Sequence, residues 1–151
     1  MIRSILITAL LAFGATAWAA DSDNAIEGIW ETDTGGYVQI HKEGDAWVGT
    51  VVGSRSGEAR YDTENPDENL RGRRLLGVTV LKGLQHAGGN QWEDGSIYSP
   101  DNGKTYSARA TLTDENTLEA RGYLGISLLG RSQTWQRVDR DAPNLHTDLL
   151  E

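Results

Sequence analysis

The sequence predicts an all-β fold: a single antiparallel, up-and-down β-barrel of about eight strands. Three observations carry that expectation. Short runs of strand-forming residues recur from Gly28 to Val138 at fairly regular spacing, separated by turn-forming clusters. Glycine is abundant at 18 and proline sparse at 3, while 5 Trp and 5 Tyr outnumber a single Phe, a composition that suits short strands and tight turns. Beyond the first twenty residues, no sustained stretch follows the helical period. Antiparallel strands that close into a ring remove their unpaired edges. A ring of eight leaves an interior just wide enough for packed side chains or one small ligand.

The chain has 151 residues, enough for one domain with a core of its own. It has no cysteine, which excludes disulfides, thiolate zinc sites and lipid attachment through a cysteine. A formal charge of −8 argues against nucleic acid, whose phosphates would be repelled. Otherwise the acidity reads as solubility.

The N-terminus is expected to be a secretory signal peptide over residues 1–19. Arg3 supplies a basic start, Ile5 to Trp18 is apolar apart from Thr8 and Thr16, and Ala17-Trp18-Ala19 is a small-x-small cleavage pattern. Cleavage is expected after Ala19, because a cut after Ala20 would place bulky Trp18 at the third position back. The run is short for a membrane anchor. The mature chain, from residue 20, is therefore expected to lack a transmembrane segment and to work outside the cytoplasm.

In order, the strands are expected at Gly28 to Thr34, Tyr37 to Lys42, Ala46 to Val52, Leu75 to Leu84, Gln91 to Tyr98, Lys104 to Leu112, Thr117 to Tyr123 and Gly130 to Val138. In the third, Ala46, Val48, Thr50 and Val52 share one face and Trp47, Gly49 and Val51 the other. Both faces carry apolar residues, as in a barrel wall with a partly apolar outside. Pro100-Asp101-Asn102-Gly103 is a strong turn signal. Gly53 to Arg74 interrupts the rhythm; connections this long inside compact domains are usually functional or disordered. Asp139 to Glu151 is expected to be an exposed acidic tail or a short terminal helix, with terminal disorder favoured.

A set of motifs runs through the mature chain: Gly28-Ile29-Trp30, Asn65-Pro66, Leu70-Arg71-Gly72-Arg73, Gly103-Lys104-Thr105-Tyr106, Arg121-Gly122-Tyr123-Leu124-Gly125 and Thr134-Trp135. In this order they resemble a bacterial exported family known as domain-of-unknown-function family 2147. The resemblance covers Gly28 to Val138 and implies a lipocalin-like (calycin) barrel in the periplasm, with no established activity. Gly28, Trp30, Trp135 and Arg137 resemble the structural signature of calycins. There an N-terminal tryptophan packs across the barrel base, beneath an arginine of the last strand. A guanidinium over an indole contributes roughly 0.5–2 kcal/mol, depending on desolvation.

The candidate ligand-binding residues are Arg71, Arg73, Tyr98, Tyr106 and Arg131. On an extended chain Arg71 and Arg73 would share a face, and paired guanidinium groups suit a carboxylate or phosphate. Tyr98 and Tyr106 would supply aromatic wall and polar tips. The competing reading has the arginines paired with Asp62, Glu64, Asp67 and Glu68 to hold the loop. Metal is poorly supported: His41, His86 and His146 are scattered. Asp62, Glu64, Asn65 and Asp67 lack the spacing of a calcium loop. Gly103-Lys104-Thr105 lacks the upstream glycine of a phosphate-binding loop, and Ser127 does not sit in a nucleophile elbow. Glu93 and Asp94, as strand neighbours, point to opposite faces. The sequence thus points to no catalysis and no cofactor. The leading expectation is an exported barrel that binds a small, partly hydrophobic and possibly anionic or lipid-like ligand. The alternative is a filled barrel acting as an envelope scaffold, with a protein partner on the loop 53–74.

Overall fold

The computed structural model describes residues 22–125 and 130–151. The expected signal peptide over 1–19 and the position of Ser127 lie outside the described residues. The strands are β1 (Gly28–Glu31), β2 (Gly36–Glu43), β3 (Ala46–Ser54), β4 (Thr79–Gly88), β5 (Gln91–Ser99), β6 (Lys104–Asp114), β7 (Thr117–Tyr123) and β8 (Arg131–Val138). Each pairs antiparallel with the next, and β8 pairs with β1 to close the ring. The up-and-down barrel of the sequence reading is the fold observed.

Strand boundaries differ most from expectation in β1 and β4, and β4 runs on to Gly88 rather than ending at Leu84. β1 stops at Glu31 rather than Thr34, because Thr32 to Gly35 form the turn into β2, closed by the Gly35 amide donating to the Thr32 carbonyl. β4 begins at Thr79 rather than Leu75. Gly77 adopts φ +85°, a left-handed conformation that turns the chain and that glycine adopts without strain. Leu75 is nevertheless buried, and its amide donates to the Arg60 carbonyl. The apolar residues at 75–76 thus tie the long connection down instead of extending the sheet.

One end of the barrel is closed from below. The one-turn 3-10 helix Asp23–Ile26 lies across it, capped by the Ser22 hydroxyl, which accepts from the Asn24 amide. Three fully buried tryptophans, from β1, β3 and β5, find their indole partners there. Trp30 donates to the Ile26 carbonyl at 3.0 Å, Trp47 to an Asp23 carboxylate oxygen at 2.7 Å, and Trp92 to the Asp23 carbonyl at 3.2 Å. A buried N–H left without a partner costs about 1–3 kcal/mol, so the short helix and the indoles fix each other. Asp23 also pairs with Lys42, and the bonds from Lys42 and Trp47 hold its carboxyl below the usual carboxylate range.

The Arg137 guanidinium lies over the Trp30 ring, 4.2 Å from its centroid. It donates to the carbonyls of Glu27, Ala25 and Glu115 at 2.6, 2.9 and 3.0 Å, binding the last strand to the base. Gly28 has φ +145°, and a Cβ there would stand 2.4 Å from Arg137 Nη1. The glycine two residues before Trp30 is therefore the space in which the arginine sits. Leu84, Leu112 and Leu118 fill the layer with the tryptophans.

The C-terminal residues correct another expectation. Residues 139–151 are not a disordered tail: they include the short 3-10 helix Thr147–Leu149, as the alternative expectation had it, and lie along the outside of β1–β3. Leu145 bridges to Gly53, the His146 amide donates to the Val52 carbonyl, and Gln39 exchanges two hydrogen bonds with the backbone of Glu151. Ala142, Leu145, Leu149 and Leu150 cover Ile29, Tyr37 and Val52. Val52 is one of the apolar residues that gave the third strand two apolar faces.

Candidate functional site

The described residues leave the opposite end of the barrel open. Above the tryptophan layer several inward positions carry little or no side chain, among them Ala120 and Gly122, while Val38, Val51, Val80, Ile97 and Trp135 supply an apolar wall. The result is a cavity of about 640 Å³, within the roughly 300–1,000 Å³ of small-molecule sites. The β1–β2 turn, the 55–78 connection, the β5–β6 turn and the C-terminal Asn144 and His146 form its rim.

Polar groups are graded by depth, because alternate residues of a strand face inward. On β8, Trp135 is buried at the floor, Gln133 stands above it and Arg131 reaches the mouth. The Trp135 N–H donates to Gln133 Oε1 at 2.9 Å. On β6, Ala108 is in the core, Tyr106 lines the wall and Lys104 is at the rim. The Tyr106 hydroxyl accepts from Asn102 Nδ2 at 2.8 Å and retains its own proton to donate.

Of the residues expected to bind ligand, Tyr106 and Arg131 line this cavity. Tyr98 contributes to the wall, but its hydroxyl turns away and donates to Asp62 at 2.5 Å. Burial, together with the Asp62 carboxylate, pushes the Tyr98 pKa up to about 12. Arg71 and Arg73 do not line the cavity, and the extended pair sharing one face is not formed: Arg71 follows the short helix Glu68–Leu70 with helical backbone angles. Arg71 donates to the Asn65 carbonyl at 2.8 Å and lies 3.9 Å from Glu68. Arg73 grips Asp62 Oδ2 through Nε and Nη2 at 2.9 and 2.8 Å. Asp62 is fully buried and also accepts from Asn65 Nδ2 at 2.8 Å. Burial alone would raise its pKa; the bonds from Tyr98, Asn65 and Arg73 outweigh it and leave the carboxyl below its usual range. This cluster fastens the long loop to β5.

The residues expected to bind ligand do not include Arg74, Lys104 and Gln133, yet all three line the cavity. Arg60, also there, pairs with Asp101 at 2.9 Å. Among the described residues Arg74, Lys104 and Arg131 make no ion pair. Of the residues the sequence reading missed, Lys104 opens β6 and Gln133 lies two residues beyond Arg131 on β8, so strand alternation from the open end is the signal that could have found them. Glu93 lies 4.0 Å from Arg109 and outside the cavity. No three His, Asp or Glu among the described residues gather as metal ligands.

Closed ring, plugged base and open upper chamber together define a lipocalin-like barrel. Residues 28–137 match the family described as "Uncharacterized protein conserved in bacteria (DUF2147)", and the chain belongs to that family. It is also similar to a solved structure, the Helicobacter pylori protein HP1028, described as belonging to the lipocalin family. The two share 25% identity over 77% of this chain and 84% of that one, with a TM-score of 0.70. No curated protein matches.

Proposed function

We propose that the protein is an exported, periplasmic binding protein that takes one small, partly hydrophobic molecule into the upper barrel, without catalysing a reaction. The observation that carries this reading is the open chamber of about 640 Å³ with an apolar wall and a polar rim. An eight-stranded barrel can hold one small ligand, and the likeness to a lipocalin-family structure supports the same use. Export rests on the leader-like residues 1–19. A scaffold with a filled barrel suits the lower, tryptophan-packed half and not the upper one.

Native mass spectrometry of mature protein, purified gently from the periplasm, tests the reading. We expect a stoichiometric adduct that organic solvent releases. A bare mass that persists after incubation with envelope lipid extract would refute binding and move attention to the loop 53–74 as a contact surface.

A further inference from the structure

The charge of the cavity mouth is opposite to that of the molecule. The chain has 14 basic and 22 acidic residues. The described residues lining the cavity include four cations, Arg60, Arg74, Lys104 and Arg131, against two anions, Glu58 and Asp101. Arg60 and Asp101 neutralise each other, which leaves Arg74, Lys104 and Arg131 facing Glu58 alone. A cationic mouth over low-dielectric walls focuses its field outward and favours anions at entry.

Charge and depth are also ordered. Arg131 and Trp135 lie on the same inward face of β8, four residues apart, or about 13 Å at ~3.3 Å per residue. Between them the wall changes from guanidinium through the Gln133 amide to indole. Lys104, Tyr106 and Ala108 repeat the sequence on β6, from ammonium through hydroxyl to methyl. Such a gradient matches a molecule whose charge is at one end and whose apolar body extends from it.

Resting on the reading of the cavity as a binding site, we propose that its ligand is a single-chain anionic amphiphile. The tail lies inward against Trp135, Ala120 and Val38, and a carboxylate or phosphate head is held at the mouth by Arg131 and Lys104. Tyr106 supplies a further donor. The guanidinium grips either head bidentately, and the ammonium acts as a point charge.

Four probes with the same chain test this on the mature protein by tryptophan fluorescence or calorimetry: dodecanoate, dodecyl phosphate, dodecanol and dodecyltrimethylammonium. At low salt the anions are expected to bind about tenfold or more tighter than dodecanol, the equivalent of one charge-assisted hydrogen bond. The cation should bind weakest. The advantage should shrink as salt screens the exposed mouth. Replacing Arg131→Gln together with Lys104→Gln should abolish it while leaving dodecanol binding and the melting temperature in place. Arg109→Gln, which removes a positive charge from the outer face instead, should preserve it. A preference between dodecanoate and dodecyl phosphate identifies the head. Equal affinity for dodecanol and dodecanoate would overturn the anionic assignment and leave the cavity reading standing. If no probe binds, both fall.

Discussion

Trp30 and Asp62 show how single side chains hold opposite ends of the molecule. Trp30 is fully enclosed, stacked beneath Arg137 and bonded to Ile26. Trp30→Ala is expected to cost roughly 3–5 kcal/mol, the range for truncating a large core aromatic, read as a lower urea midpoint. Asp62→Ala removes the acceptor that Tyr98, Asn65 and Arg73 share. Arg73 keeps a side chain 36% exposed and can turn to water. The loss should therefore be about 2–3 kcal/mol, short of the ~3–5 kcal/mol of breaking a wholly buried pair. The native carboxyl titrates below its unfolded value, so its contribution is complete above about pH 4 and fades as pH falls through the native value. Urea titrations from neutral to acidic pH should show that decline in the wild type. In Asp62→Asn this component should be missing.

At the scale of elements, the C-terminal segment behaves as part of the wall. Ending the chain after Val138 would uncover Ile29, Tyr37 and Val52. Full burial of one such side chain is worth ~1.5–3 kcal/mol, so losing several partly buried partners should cost on the order of 3 kcal/mol. A lower melting temperature and self-association on size-exclusion chromatography are the expected results. Alternation and turn residues made the eight strands and the Asn102-Gly103 turn legible in the sequence, because both signals are local. The start of β4 was misread since Leu75-Leu76-Gly77 is apolar in pattern but bent at a glycine. The docking of 139–151 was invisible for a related reason. Leu145 and Leu149 acquire partners only when strands far away in the chain present their outer faces.

For the whole molecule, the division into a packed lower half and an open upper half is what the binding reading depends on. Ala120 faces the cavity and is cross-strand neighbour to Ala110 and Gln133. Ala120→Phe should occupy the chamber, at an overpacking cost of about 1–3 kcal/mol, and reduce uptake of an apolar fluorophore at least ~tenfold by the loss of apolar contact area. A folded variant that takes up the fluorophore as well as the wild type would place the site elsewhere. The site was less legible than the fold. Tyr106 and Arg131 were accessible because each is on an alternating strand. Arg71 and Arg73 misled, since a two-residue spacing means a shared face only where the chain is extended. Lys104 and Arg74 become neighbours of one chamber only after the ring has closed.

That closure has a consequence in time. β1 has β8 as one of its two neighbours, and Arg137 donates to the carbonyl of Ala25, 112 residues earlier in the chain. No shorter N-terminal piece possesses the joint that completes the ring or the guanidinium that seals its floor. Contacts so distant in sequence form late. During synthesis the chain must therefore persist with raw edges until its final strand emerges. Assembly is gated by the arrival of the last residues, and a ribosome stalled before Arg131 leaves an open sheet for proteases to find.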